Sequence, residues 1–345
     1  MLLLVAGSVA YASLATAATA DVEATADEVD ANDASTTDEA RSLAPPPPLG
    51  VRFGEPLEGE VFRLSYTFER IKKQGLMSGT RDRTPAQVLP PNSFHPYDRT
   101  PRSLNVSIHD FQLAYSPHPR VTLVVEVPFI QKELETRLDT GERYQDQTEG
   151  VGDIDFAVVL PFIKKRNESS HVHVAINVPT GSIRRGGDET RLPFDNQIGN
   201  GTVDLEWGWT YRGDIDWFSW GGQAWGRHPV GRNGLNYREG SRFEASLWSG
   251  ARLFEGLSAS VRLSWEKQNN TRQHHSPSDP ITNPSDNSKA RGFVRLAVRP
   301  GLTLDLPWLG HQRLALELDI PFYQDVSGPQ LEKDWSMKMG WQWGF

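Results

Sequence analysis

The chain of 345 residues contains no cysteine. This absence excludes a disulfide scaffold, thiolate metal sites, a c-type haem attachment and a lipidated N-terminal cysteine. After residue 20 the sequence also lacks any run approaching the roughly 18 consecutive apolar residues of a membrane-spanning helix, so a helical membrane protein is excluded. Hydrophobic residues are scarce as well, at 37%, which is below the usual share for a soluble globular domain.

Aromatic residues are plentiful, with 11 Trp, 15 Phe and 8 Tyr. Such a chain is too aromatic to be disordered and too polar to be a packed α/β enzyme. The net charge of −8 is concentrated near the N-terminus, because residues 21–50 hold eight acidic residues and one basic residue. The rest of the chain is close to −1, which argues against nucleic acid as a partner.

The first 58 residues are typical of targeting and linker sequence. Residues 2–14 are apolar and Ala18-Thr19-Ala20 offers small residues to a signal peptidase, although no Lys or Arg precedes the apolar stretch. We predict a signal peptide over residues 1–20, the alternative being an N-terminal apolar tail without that role. We predict a disordered, acidic, Pro-rich periplasmic tether over 21–58, with a stiff polyproline spacer at 45–48, and an outer-membrane β-barrel over 59–345.

From residue 60 onward apolar and polar residues alternate, which is the period of a β-strand. Phe62, Leu64, Tyr66 and Phe68, for example, alternate with Arg, Ser, Thr and Glu. Similar runs, some of them weaker, recur to the C-terminus, and no amphipathic helix is evident. We predict about twelve strands of roughly 9–12 residues, the length that a tilted strand needs to cross a bilayer.

The connections between these runs discriminate between soluble and membrane β-proteins. Their lengths alternate, at about 30, 5, 20, 7, 20, 4, 13, 5 and 22 residues, until the last two are both about 11. Outer-membrane barrels show this alternation because periplasmic turns are short and outer loops long, whereas a sandwich or propeller has no reason for it. The predicted fold is an all-β, antiparallel, up-and-down transmembrane β-barrel, exported through the periplasm into the cell outer membrane and surrounded by outer-membrane lipid and lipopolysaccharide.

The last predicted strand carries a candidate assembly signal. Apolar or aromatic residues occupy every second position from Trp335 to Phe345, the final residue. A strand that ends on an aromatic residue resembles the signal read by the outer-membrane assembly machinery, although any edge strand could end on Phe. We therefore predict Trp341, Trp343 and Phe345 as the assembly signal and that machinery as a partner.

Short glycine-rich motifs mark the starts and ends of several strands. Residues 150–156 (Gly-Val-Gly-Asp-Ile-Asp-Phe) open one strand, 178–181 (Val-Pro-Thr-Gly) close the next, and 199–204 (Gly-Asn-Gly-Thr-Val-Asp) open the one after. With residues 321–331, this order resembles the outer-membrane transporter family associated with the MetA pathway of phenol degradation, over roughly residues 105–345. The resemblance implies a medium-sized barrel that admits small hydrophobic or aromatic substrates.

If the apolar residues face lipid, their neighbours face the lumen. The predicted lumen residues are Glu126, Asp153, Asp155, His171, His173, Asp204 and Glu206 in one half of the wall, and Arg242, Arg262, Arg295, Arg299 and Arg313 in the other. Across a narrow bore these two banks would create a transverse field that orients polar solutes. The predicted function is a channel that passes a small-molecule solute. The alternative is a structural or surface-binding barrel whose lumen is closed by its own side chains.

A third hypothesis is an outer-membrane lipid hydrolase, which needs a Ser nucleophile beside a His base. Ser170 and His171 are adjacent on one strand and so point to opposite faces, and no Gly-x-Ser-x-Gly elbow occurs. His171 and His173 share a face, but a metal could bridge them only loosely. We therefore predict no catalytic residue, no metal site and no cofactor.

Overall fold

The computed structural model describes residues 44–57, 59–90, 97–186, 191–273, 282–310 and 312–345. The predicted signal peptide and residues 21–43 of the predicted tether lie outside these ranges. The strands are β1 (Phe62–Gly79), β2 (Arg81–Arg83), β3 (Arg99–His118), β4 (Val121–Leu138), β5 (Arg143–Val151), β6 (Ile154–Lys165), β7 (Glu168–Val178), β8 (Val203–Ile215), β9 (Phe218–Val230), β10 (Tyr237–Arg238), β11 (Arg242–Phe254), β12 (Leu257–Gln268), β13 (Arg272–Gln273), β14 (Phe293–Leu306) and β15 (Gln312–Gly344).

Helical elements in the described chain are short. They are the helix α1 (Pro85–Val88) and single 3₁₀ turns at Phe194–Asn196, Pro284–Asp286, Ser288–Ala290 and Pro307–Leu309. Within the described ranges, no helix has the length and apolar character needed to cross a membrane.

Eleven of the described strands close a ring of antiparallel pairs. The ring closes where β1 pairs with β15, from Arg63 opposite Gly344 to Gly79 opposite Val326. β2 and β5 pair with β1 and β4 outside the ring, and β10 and β13 form a separate ribbon. Because a closed ring leaves no unpaired sheet edge, all backbone groups of the wall can be satisfied within lipid.

β15 crosses the wall twice. Its first part pairs with β14 as far as Val326, and the part after Val326 pairs with β1. Lys333 N donates to Gln324 Oε1 at 3.1 Å, and Lys333 Nζ lies 3.1 Å from Asp319 Oδ2. A straight strand would separate residues 319 and 333 by roughly 45 Å, so the chain reverses between Gln324 and Lys333. The eleven ring strands of the described chain therefore make twelve crossings, and the predicted antiparallel barrel is confirmed.

The two ends of the barrel differ in their connections. At one end, here called the turn end, two residues each join β3 to β4, β6 to β7, β8 to β9 and β11 to β12, and the wall begins and ends there. The other end, the loop end, carries longer connections such as 179–202 and 269–292. The predicted 20-residue connection at 131–150 is wrong, because β4 and β5 continue through it. Both faces of this hairpin are rich in polar residues, which hides the alternation.

The alternation sorts residues between the two faces of the wall. In β8, Leu205, Trp207 and Trp209 are 47%, 51% and 49% exposed on the outer face, whereas Glu206 and Thr210 are buried inside. An apolar outer face is what a lipid environment requires. Charged side chains that are buried on the inner face need ion-pair or hydrogen-bond partners, and these pairs line the lumen.

Candidate functional site: the barrel lumen

The inner segment, residues 44–57, lies inside the turn-end half of the barrel. Arg212 Nη2 donates to the Pro45 carbonyl at 3.0 Å near one end of the segment, and Leu57 N donates to Thr122 Oγ1 at 3.0 Å near the other. The prolines at 45–48 are buried, and they bring no backbone N–H groups that would need partners there. The structure thus differs from the predicted disordered tether over 44–57, because hydrogen bonds to the wall order this stretch.

Arg52 holds the inner segment to three carboxylates of the wall. Its Nη1 lies 3.1 Å from Glu126 Oε1 of β4, its Nη2 lies 2.7 Å from Asp155 Oδ2 of β6, and its Nε contacts Glu206 of β8. Burial lowers the pKa of Arg52, but the three carboxylates outweigh burial and raise this pKa well above its ordinary value. The guanidinium is therefore a fixed positive charge at the centre of the predicted acidic bank. We call these four residues the Arg52 clamp.

The backbone of the inner segment is also bound to the wall. Gln223 of β9 accepts from Arg52 N at 2.9 Å and donates to the Arg52 carbonyl at 2.6 Å. His171 Nε2 lies 2.8 Å from the Phe53 carbonyl oxygen, and the Phe53 ring meets the His173 ring edge-on at 5.0 Å. The predicted histidine pair therefore faces the inner segment, and no metal-ligating group of three or more residues occurs within the described ranges.

Glu55 forms a second ionic contact between the inner segment and the wall. Arg313 Nη1 lies 2.6 Å from Glu55 Oε2, while Arg313 Nε lies 2.8 Å from Asp305 Oδ1. Burial raises the pKa of Glu55, but Arg313, Arg63 and Arg212 outweigh burial and hold this pKa at about 2. Glu55 is thus ionised at neutral pH and attracts the arginines around it.

Arg227 of β9 is a second arginine that pairs with the acidic bank. Arg227 Nη2 lies 2.8 Å from Asp155 Oδ2 and 2.7 Å from Glu206 Oε2. Arg52 and Arg227, neither of which was among the predicted lumen residues, therefore share the pairing of Glu126, Asp155 and Glu206. Strand alternation in the sequence could have identified Arg227 as a lumen residue, because it follows Gln223 and Trp225 at every second position of β9. Arg52 could not be identified in this way, because it lies before the first strand, outside any alternating pattern.

The predicted arginine bank is paired within its own half of the wall. Arg299 Nε lies 2.8 Å from Asp319 Oδ2, and both Arg295 and Arg242 lie 3.0 Å from Glu266. Arg262 lies 2.9 Å from Glu244 and also contacts Glu317. The four acidic residues of these pairs lie on β11, β12 and β15, which also carry arginines of the bank. The two banks thus do not face each other as unpaired charges, which is the arrangement that the expected transverse field requires.

Asp153 and Asp204 shape the loop-end connection 179–202. Asp153 accepts from Gly181 N at 2.8 Å and from Asn200 N at 2.9 Å, and Asp204 Oδ2 accepts from Asn200 Nδ2 at 2.7 Å. A side chain at Gly181 would place its Cβ 2.7 Å from the Gly199 Cα, so the two backbones meet only because both residues are glycines. The glycine motifs found in the sequence therefore position this connection.

Loop-end residues fold inward above the inner segment. Phe194, Asn196 and Ile198 are buried, and Lys132 Nζ donates to the Asp195 carbonyl at 3.1 Å. Burial raises the pKa of Asp195, but Arg291, 3.0 Å away, and Lys73 outweigh burial and lower this pKa. A cavity of about 700 Å³ in the lumen is lined by the inner segment, by the inner face of the wall and by these loops. Thirteen Lys or Arg and twelve Asp or Glu of the described chain line it, so it carries no large excess of either sign.

Ser170 is not arranged as a nucleophile. Its Oγ donates to the Thr210 carbonyl at 2.8 Å and accepts from Trp209 Nε1 at 2.8 Å, so both hydrogen bonds of the hydroxyl are made to residues other than His171.

At the turn end, Phe345 packs on Phe62 and Trp343 with ring centroids 5.7 and 4.8 Å apart, and Trp341 Nε1 donates to Gln312 at 2.8 Å. The predicted assembly residues thus lie beside the seam that closes the barrel.

Comparisons with known proteins bear on the fold. No protein-family model matches the chain, and no curated protein matches it. An outer-membrane channel from Pseudomonas putida F1 is similar in structure, with a TM-score of 0.58 at 12% identity over 84% of this chain and 97% of that chain. A Pseudomonas aeruginosa FadL homologue gives a TM-score of 0.43 at 7% identity over 85% and 93%. The P. putida toluene transporter TodX gives 0.40 at 7% over 83% and 90%. The first similarity shows that this chain has the fold of an outer-membrane channel, and the other two are too distant to add to it.

Proposed function

We propose that this protein is an outer-membrane channel for small solutes whose resting state is closed by the inner segment. The observation that carries the proposal is a cavity of about 700 Å³ in the lumen, lined by the inner segment, the wall and the inward loops. A barrel packed solid by side chains would have no such space. The element that closes its turn end is a peptide segment held by side-chain contacts, and such contacts can open without breaking the wall.

The proposed orientation follows from the connections. Short turns face the periplasm in outer-membrane barrels and long loops face outward, so the turn end would be periplasmic. The inner segment would then enter the lumen from the periplasm, where residues 21–43 and the exported N-terminus would lie. The apolar outer face would contact outer-membrane lipid and lipopolysaccharide. The resemblance to the phenol-degradation family favours small aromatic or hydrophobic solutes and no enzymatic role.

The pairing of lumen charges determines which solutes the proposed channel admits. Because residues of both signs line the cavity in nearly equal number and many of them are paired, the lumen does not repel one sign of charge throughout its length. A structural barrel with a permanently closed lumen is the competing function, because extensive buried pairing also resists opening.

Single-channel recording in planar bilayers separates the two functions. A purified, refolded sample is expected to give discrete conductance steps at a low open probability, with heat-modifiable migration on gels as the control for folding. Complete absence of steps in the wild type and in variants that release the inner segment would refute the channel and favour the closed structural barrel.

A further inference from the structure

Part of the lumen wall is apolar, unlike the rest. Ile71, Ile108 and Ile130 point into the cavity from β1, β3 and β4. Strand register brings them together, because Ile108 is paired with Ile130 and Ile71 is paired with Val106. They pack against a buried cluster that includes Leu104, Val106, Leu134 and Leu331. A channel for water and small ions needs no such surface, whereas an apolar solute group would gain free energy by covering it.

Two lysines flank this apolar wall toward the loop end. Lys73 lies two residues beyond Ile71 on β1, and Lys132 lies two residues beyond Ile130 on β4, so each lysine shares the inner face of its isoleucine. Lys132 Nζ is hydrogen-bonded to the backbone carbonyls of Asp195 and Gln197. Both lysines line the cavity.

Lys73 differs from the other lumen cations. Within the described ranges its ammonium forms no hydrogen bond or ion pair, although the residue is half-buried. The acid that acts on it electrostatically is Asp195, which Arg291 already holds at 3.0 Å, while Arg291, Arg295 and Lys132 add positive potential around it. A partly desolvated ammonium in such surroundings attracts an anion.

We propose that the loop-end half of the cavity binds a small amphipathic monoanion, namely an aromatic or short aliphatic carboxylate. Its carboxylate contacts Lys73 and its apolar body covers Ile71, Ile108 and Ile130. The inference rests on the proposed function, since the site lies on the solute path. The whole lumen cavity, of which this site is the loop-end part, measures about 700 Å³, and small-molecule sites range over about 300–1,000 Å³.

The surrounding charges favour a monoanion over other solutes. Asp195 and Glu239 lie 3.0 and 3.7 Å from Arg291, so a dianion entering here meets two carboxylates as well as the cations. A neutral hydrocarbon would cover the isoleucines but remove water from Lys73 without replacing it. A carboxylate with an apolar body satisfies both requirements.

Calorimetric titration of the refolded full chain with benzoate tests the site. Benzyl alcohol is the neutral comparison and phenylphosphonate, at a pH where it is a dianion, the doubly charged one. We expect saturable benzoate binding that weakens as salt rises, with both comparison compounds binding roughly tenfold or more weakly. Equal binding of benzoate and benzyl alcohol would overturn the proposal.

Substitutions locate the binding. Lys73→Met should weaken benzoate binding roughly tenfold or more, and Lys73→Arg should retain most of it. Lys72→Met is the matched control, because Lys72 is the adjacent residue of β1, lies on the opposite face and carries the same charge. Equal losses in Lys73→Met and Lys72→Met would refute the site. Conductance recorded on the same samples separates the two claims: conduction without benzoate binding refutes the site alone, and binding without conduction refutes the channel.

Discussion

The Arg52 clamp is the contact whose removal should most directly change the state of the lumen. Arg52→Ala removes the arginine paired with Glu126 and leaves Arg227 as the arginine paired with Asp155 and Glu206. A charge-assisted hydrogen bond contributes about 1.5–3 kcal/mol net, so losing even one of the three in the closed state should raise the ratio of open to closed channels roughly tenfold to a hundredfold. Arg52→Lys should have an intermediate effect, because one ammonium cannot reproduce the planar fork of a guanidinium.

The assay is the open probability of single channels at low salt and neutral pH. Arg70→Ala is the charge-matched control, because Arg70 lies on the outer face of β1, where it donates to Ser107 at 2.6 Å. The expected order of open probability is Arg52→Ala, then Arg52→Lys, then wild type and Arg70→Ala together. Identical open probabilities in Arg52→Ala and Arg70→Ala would refute the assignment of Arg52 as the residue that keeps the inner segment in place.

Three further predictions concern acid, selectivity and assembly. Burial raises the pKa of Glu55, but nearby arginines outweigh burial and hold this pKa at about 2. The ionised carboxylate should therefore stabilise the closed state fully above the ordinary pKa of glutamate, and this stabilisation should be lost as the pH falls toward 2. Open probability should increase over that pH window, and Glu55→Gln should remove most of this pH dependence. Arg227→Met leaves excess carboxylate in the lumen, so reversal potentials should shift toward cation preference and the shift should fade near 1 M salt; a shift toward anions would contradict this. Deleting Phe345 should impair assembly in cells far more than refolding in detergent, and equal impairment in both would refute its recognition by the assembly machinery.

The wall could be predicted from sequence because strand alternation is local. Leu205 and Glu206 are assigned to opposite faces by their neighbours alone, without knowledge of any distant residue. The inner segment could not be predicted in this way, because Arg52 meets Glu126 and Glu206 across 74 and 154 residues of sequence. A polyproline run followed by polar residues has the composition of a linker whether or not a barrel surrounds it.

The loop-end site shows a second limit of sequence reasoning. Lys132 lies in a stretch whose polar residues on both faces resemble a loop, so its place on β4 was not expected. Lys73 likewise lies beyond the predicted end of the first strand, which the structure extends to Gly79. The length of β1 and β4 at the loop end depends on their pairing with β3 and β5, and such pairing cannot be read from the sequence of one strand alone.

An engineered disulfide tests most directly whether the inner segment closes the lumen. The Pro45 Cβ lies 3.3 Å from the position that a Cβ at Gly250 would take, close to the roughly 3.5–4.5 Å of a disulfide, and the chain has no other cysteine. In an Arg52→Ala background, Pro45→Cys with Gly250→Cys should stay closed when oxidised, because the inner segment is then anchored at both ends, and should open frequently when reduced. Equal conductance in the oxidised and reduced states would contradict closure of the lumen by residues 44–57.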